Sequence, residues 1–465
     1  MTYLWLPIGL LLPTTCGWLL LRIAEWQSPV LYKFERWIAG FVLGGIFTTY
    51  LIFLLEVIGI GSFSFLSMLL TQLFLLMILG GIYWKNKSKL ANNCGEVSPR
   101  SVLNISSWAT WQKIAAGILG LWIIIKLISG LILLMGPAYF DDTISNWNIR
   151  GKAFYTAQEL VLELEPGKGA GIGSYPQAIP LQKTWLAHLN SGWHEGLINS
   201  LHILWYLSAL ALVFFALRRL MNLRWAMLGT YILTSIPLFA MHGFSAYGDC
   251  YLSIIIFIAL SWLFFAARSE DNERMSFIKI GAIAAGLLVY TKSEAMLLHL
   301  PPLAILVIGL MIFGGFTAAQ KKIAILWYGL CVSVVLIPWT LFKWMNGLGF
   351  GNAKDVSGMT LEWHEGVLRA IGLNTFFEGN WSLLPILFLG LIIAKWRTAL
   401  RSKLIILVGF VFMVILGQLP IYMFTGLYVE ALNQTGYARG IIHLIPVVVV
   451  VTTILLKETI KDSDQ

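Results

Sequence analysis

The sequence predicts an all-α polytopic membrane protein of about thirteen transmembrane helices, with a long outer loop bearing short interfacial helices. Three observations predict it. Hydrophobic residues make up 58% of the 465, and charged residues only 12%, where a soluble domain carries roughly 25% charged. Mean hydropathy is +0.78. Long apolar runs recur along the chain, and basic residues cluster on alternate connections between them. At about 20 apolar residues per span, thirteen spans take about 260 residues. This composition excludes a soluble enzyme, a secreted disulfide scaffold and a nucleic-acid-binding domain. The net charge of +9 follows from the basic bias of cytoplasmic loops. Cys16, Cys94, Cys250 and Cys331 are scattered without a CxxC pair, so neither a thiolate metal site nor a disulfide framework is expected. The N-terminus lacks a basic leader region and its apolar run ends in Arg22, so no cleavable signal peptide is expected.

The apolar runs lie near 4–22, 37–60, 64–84, 114–137, 197–217, 225–241, 250–267, 277–291, 297–315, 323–342, 382–394, 404–424 and 441–456. An odd number of spans puts the termini on opposite sides. With 23–36 taken as cytoplasmic, 22 of the 32 Lys and Arg fall on that side and nine on the other, with Lys126 inside a span. The positive-inside rule then places the N-terminus outside and the C-terminus in the cytoplasm, in what we expect to be a bacterial plasma membrane. Three leading spans (1–84) precede a cytoplasmic linker (85–113). The region 114–465 follows as the core, with outer loops at 138–196 and 343–381. The first loop contains Trp147, Trp185 and Trp193, which suit helices lying at headgroup level. Long ordered loops in a compact protein usually carry function.

That loop opens with Asp141-Asp142, just beyond the span ending near Pro137. Adjacent carboxylates repel each other and prefer full solvation, so folding alone explains them poorly. A carboxylate at this boundary can be a general base or a metal ligand, and either could also cap a helix starting near Thr143. Arg150 and Lys152 follow, in a position that also suits headgroup anchoring. Tyr175-Pro176 reads as a rigid turn. Further polar groups collect at outer span ends: His242, Tyr247 and Asp249 in one turn, Lys292 and Glu294 in another, Arg439 and His443 before the last span. Ionisable groups near membrane depth are expensive and point to function. The cations among them suit a phosphate or pyrophosphate, and a carboxylate beside them suits a base. Lys292 and Glu294 would not pair directly if their segment were helical, being two residues apart. Lys126 and Glu56, both within spans, are candidates to pair with each other.

In their order, these motifs resemble the GT-C superfamily of integral membrane glycosyltransferases, which includes the protein O-mannosyltransferases and the aminoarabinose transferases. The elements are Asp142, Trp147, Arg150-Gly151-Lys152, Tyr175-Pro176, Pro180-Leu181, Tyr247-Gly248-Asp249, Lys292-Ser293-Glu294 and Arg439. The resemblance covers about 137–300, with Tyr-Pro-Gln where the pattern has Tyr-Pro-Pro. The acid follows the fourth span, where most of the superfamily has it after the first. The resemblance implies an inverting transfer of a sugar from a polyprenyl-phosphate donor to a lipid, glycan or protein acceptor at the outer face. Asp142 would be the base, with Asp141 as helper or alternative. Lys292, Arg439 and His443 would bind phosphate, and Arg150, Tyr175 and Asp249 would position substrate; Lys152, His242, Tyr247 and Glu294 complete the candidate binding residues. No cofactor is required, although Asp141, Asp142 and Asp249 would offer oxygens to a divalent metal. Two other functions compete. A transporter or flippase of a lipid-linked substrate should show an internal repeat and mid-membrane polar residues at broken helices; the sequence has no such repeat. A polysaccharide polymerase or ligase would share the outer face and lipid carrier, and could use Trp363-His364-Glu365 and Arg369 in the second loop.

Overall fold

The computed structural model describes residues 2–87, 105, 108–163, 171–349 and 362–463. Parts of the expected linker (88–104, 106–107) and of the two outer loops (164–170 and 350–361) lie outside the described residues. The described residues form helices and turns, without a strand. The leading helices are α1 (Thr2–Ala24), α2 (Lys33–Val57) and α3 (Phe65–Lys85), followed by α4 (Thr110–Met135). The first outer loop carries a π-helical segment (Thr143–Asn148), α5 (Ile149–Ala157), α6 (Ala178–Leu189) and α7 (Glu195–Asn199). Next come α8 (Leu201–Leu220), α9 (Leu223–Thr234), α10 (Pro237–Phe244), α11 (Gly248–Arg268) and α12 (Asp271–Leu288). A second π-helical segment (Ala295–His299) leads into α13 (Leu300–Phe313), and α14 is Ala318–Met345. The chain then runs through α15 (Val367–Phe376), α16 (Leu384–Ala394), α17 (Trp396–Arg401), α18 (Ile405–Phe424), α19 (Tyr428–Leu432), α20 (Gly436–Ile442) and α21 (Ile445–Ser463).

Nine of these helices are long and apolar enough to cross a membrane, or up to eleven spans if each of two bent pairs counts as one. Two of the thirteen expected spans fall short. The helix α12 carries Asp271, Glu273, Arg274 and Lys279 in its eighteen residues, and α16 has eleven residues, about 16 Å of helix. The bends have local causes. Pro237 starts α10 and cannot continue the hydrogen-bond ladder of α9, and the two helices meet at 72°. Pro446, at the start of α21, does the same after α20, with a bend of 52°.

Close helix contact explains how the leading spans join the bundle. Gly17 on α1 faces Gly40 and Gly44 on α2, and a Cβ on Gly17 would sit 2.0 Å from the Gly40 carbonyl oxygen. Only hydrogen fits there, as at small-residue crossings in membranes generally. Further along α2, Tyr50 and Phe53 pack edge-on against Tyr290 and Trp339 of the core. The Tyr50 hydroxyl donates to the Val334 carbonyl at 2.5 Å.

The first outer loop is docked on the helix ends. Glu56 accepts from the Leu160 amide at 3.1 Å, and the Phe63 amide donates to the Gln158 carbonyl at 2.8 Å. The Trp185 indole donates to the Gly9 carbonyl at 3.2 Å. Trp147 and Trp185, expected at headgroup level, are 0% and 4% exposed. They pack inward because the loop folds onto the bundle end. Glu56 and Lys126 do not meet: Lys126 donates to the Thr234 carbonyl at 2.6 Å.

Candidate active site

Alternate helix ends deliver the site. The end of α4, the starts of α11, α13 and α20, and the end of α10 all lie where the first outer loop docks. At their centre is Asp249, in the first turn of α11, with no exposed surface. A buried carboxylate needs charged partners. Its Oδ1 accepts from Lys292 Nζ at 2.7 Å and faces His443 Nε2 at 3.0 Å. Its Oδ2 accepts from Arg439 Nε at 3.0 Å, and His242 Nδ1 stands 3.3 Å away. Four groups from α10, the α12–α13 turn and the α20–α21 bend thus converge on one side chain.

Arg439 uses its other edge. Its Nη1 reaches Asp142 Oδ2 at 2.5 Å. Arg439 is 28% exposed and Asp142 29%, so this pair opens to the outside while Asp249 lies beneath it. Asp141 is exposed and has no ion pair among the described residues. Asp142 immediately precedes one π-helical segment and Glu294 immediately precedes the other. The widened turn of a π segment shifts the side chains that follow and recurs at functional sites.

Lys292 also contacts Glu294 Oε1 at 3.2 Å. Their two-residue spacing forbids this on a helix, but 289–291 is a turn and Lys292 sits in the break before the next helix begins. Burial works against the Lys292 ammonium, yet Asp249 and Glu294 outweigh it and hold the amine above its ordinary value. Burial likewise opposes ionisation of Glu294, but Lys292 keeps its carboxyl below its ordinary value. Tyr175 lies 3.5 Å from Glu294 through its hydroxyl, and burial, with Glu294 close by, pushes that hydroxyl well above its ordinary value. Tyr247 stacks on His242 at 4.6 Å between centroids, and the Arg439 guanidinium sits 5.2 Å over the same ring. A cation over a ring face is favourable.

Arg150 and Lys152 part company. Lys152 is exposed and has no side-chain partner among the described residues. Arg150 is fully buried, donating to the Tyr175 carbonyl at 2.7 Å, to Asn146 Oδ1 at 3.2 Å and to Gln177. It fixes the Ser174–Gln177 turn, and through it Tyr175. In the second loop, His364 stacks on Tyr428 at 3.8 Å and Trp363 is 59% exposed; neither contacts Asp249.

Two buried residues were not singled out in the sequence. His299 Nε2 lies 3.2 Å from His443 Nδ1, completing a buried row from Asp249 through His443 to His299. An ionisable side chain in an apolar span was the available signal. Lys183 is fully buried, donating to Asn148 Oδ1 at 2.6 Å and Asn199 Oδ1 at 3.0 Å. Burial drives its amine down to about 7. Among the described residues no group of three or more His, Cys, Asp or Glu is placed to hold a metal ion. The trio Asp141, Asp142 and Asp249 does not converge, and the Asp249 oxygens are turned to cations and histidines.

No family model and no curated protein matches the chain. Among solved structures, ArnT from Cupriavidus metallidurans bound to undecaprenyl phosphate matches with a TM-score of 0.53 at 13% sequence identity. The match covers 74% of this chain and 60% of that one. The likeness is one of fold: this chain has a GT-C-like, all-α membrane architecture.

Proposed function

We propose that this GT-C-like chain is a glycosyltransferase that takes its sugar from a polyprenyl-phosphate donor at the outer face of the membrane. The observation that carries the reading is Arg439, which bridges Asp142 and Asp249 with Lys292 alongside. A carboxylate able to act as base and cations able to hold a phosphate meet at one half-open spot. The structural neighbour carries undecaprenyl phosphate, a ligand of the class this chemistry suits.

In this reading Asp249 is not a ligand to substrate. It anchors Lys292 and Arg439 so that their remaining N–H groups point to the donor phosphate. Asp142 accepts the acceptor's proton, with Asp141 beside it as helper. The acceptor attacks the anomeric carbon with inversion, and the polyprenyl phosphate leaves against Lys292, Arg439 and His443. Tyr175, held by Arg150, and Tyr247 shape the sugar subsite. No metal is needed for these steps. The positive-inside bias of 22 against nine basic residues supports an outward-facing site.

Binding tests the donor half. Native mass spectrometry of the full chain in detergent should retain undecaprenyl phosphate. Arg439→Met should weaken retention at least tenfold, while neutral undecaprenol should bind no better to one form than to the other. Equal retention of the phosphate by both forms would sink the phosphate assignment.

A further inference from the structure

A carboxylate accepts hydrogen bonds and donates none, and a neutral imidazole has one nitrogen that donates and one that accepts. These rules fix where the protons lie along the buried row from Asp249 to His299. His443 faces Asp249 Oδ1 with its Nε2 at 3.0 Å, so its proton lies on Nε2 and its Nδ1 is an acceptor. His299 faces that Nδ1 with its own Nε2 at 3.2 Å, so His299 is the donor of the pair. The remaining nitrogen, His299 Nδ1, is buried without a hydrogen-bond partner. A charged His443 would donate from Nδ1 to His299 and force a proton onto that orphaned nitrogen. It would also set a third cation against Asp249, beside Lys292 and Arg439.

We propose that His299 is a positioning residue for the transfer: it holds His443 as a hydrogen-bond donor to Asp249, and through Asp249 it fixes the Lys292 ammonium that faces the donor phosphate. The inference rests on the transferase reading and extends it to a residue that touches no substrate. Lys292 and His443 occupy the two acceptor positions of Asp249 Oδ1. A His443 ring that turned its bare nitrogen to the carboxylate would leave one position empty, and the lysine could swing with the freed oxygen. His299 prevents that turn by engaging the bare nitrogen itself.

The local fold suits this role. His299 closes the π-helical segment Ala295–His299, and Glu294, the second carboxylate on Lys292, immediately precedes that segment. One widened turn therefore sets both the Glu294 carboxylate and the His299 donor. Phe410 of α18 stacks on the His299 ring at 6.2 Å between centroids, and the residue has no exposed surface, so the ring has a fixed direction. With both of its nitrogens engaged, His443 serves the leaving phosphate through this row.

Nitrogen NMR reads the row without relying on turnover. The full chain, with its seven histidines labelled in the ring, is placed in nanodiscs. The His443 signals are identified by their absence from His443→Gln. In the unmodified chain His443 should be neutral, with its proton on Nε2. His299→Gln puts an amide N–H where Nε2 was and should keep that state. His299→Leu removes the donor and should leave His443 in mixed protonation states. In native mass spectrometry His299→Leu should weaken retention of undecaprenyl phosphate about tenfold, the order of one lost hydrogen bond to a charged group, and His299→Gln should restore most of it. A proton on His443 Nδ1 in the unmodified chain would overturn the inference. So would a His299→Leu chain that keeps either the unmodified His443 state or the unmodified retention. If His299→Leu does not fold, the unmodified spectrum and the His299→Gln comparison still decide. If the unmodified chain retains no undecaprenyl phosphate while His443 carries its proton on Nε2, the donor reading fails and the direction of the row stands.

Discussion

Burying the Asp249 carboxylate alone would cost several kcal/mol, and Lys292, Arg439, His443 and His242 meet it instead. The same physics makes the residue hard to change. Asp249→Asn removes the buried anion that Lys292 and Arg439 share, leaving each with one carboxylate partner, Glu294 and Asp142. Such breaks in buried pairs cost about 3–5 kcal/mol. The variant should lose folded protein in a thermal scan in detergent, whereas Lys152→Gln, at an exposed position, should unfold with the unmodified chain. Lys183 gives a pH signature. Its amine is near 7 when folded and ordinarily 10.5. Between those values the unfolded chain binds the extra proton, so stability rises with pH through this window. Unfolding midpoints from pH 7 to 9 should rise more steeply for the unmodified chain than for Lys183→Met. Parallel slopes would show that Lys183 is not held neutral.

Elements bring these residues together through their breaks more than through their regular turns. The crossing of α1 and α2 depends on hydrogen-sized positions, and Gly44 has a Pro13 carbonyl oxygen 2.0 Å from where a Cβ would be. Gly44→Leu should force the helices apart and abolish the monodisperse peak in size-exclusion chromatography. Gly80→Leu, with open space around it, should leave that peak in place. The helical runs were legible in the sequence because spanning length and apolar content carry that signal without tertiary information. That Asp142, Asp249, Lys292 and Arg439 lie at span ends was legible as well. Their contacts were not. Lys292 and Glu294 meet because 289–292 leaves the helix, a departure that residue spacing cannot announce. The Arg150 side chain turned inward because the loop folds onto α1–α3, which composition cannot reveal. The two π segments lack any recognisable sequence cue.

At the scale of the whole molecule, the bundle has two unlike ends. One gathers the Asp249 cluster and the docked loop. The other holds ion pairs that tie helices together, Arg36 with Glu25 and Arg219 with Glu35. In the orientation proposed from the basic bias, the second end faces the cytoplasm. Lys152→Cys and Lys322→Cys, both at exposed positions, test this. In intact cells an impermeant maleimide should label the first and spare the second, and the reverse pattern would invert the molecule. Thr317 caps α14 at that end, accepting from the Gln320 amide at 3.2 Å, so the Lys322 position sits on a well-formed helix start.

The most direct test of the account is transfer by Asp142→Asn. Membranes carrying either form are incubated with mixed short-chain polyprenyl-phosphate sugars, and sugar transfer is counted at equal protein abundance. Asn keeps the shape of the side chain but cannot take the proton. General-base catalysis contributes about 10²–10⁴-fold, so transfer should fall by that order while undecaprenyl phosphate is still retained. Transfer by the variant at the unmodified rate would contradict the assignment of Asp142 as the base.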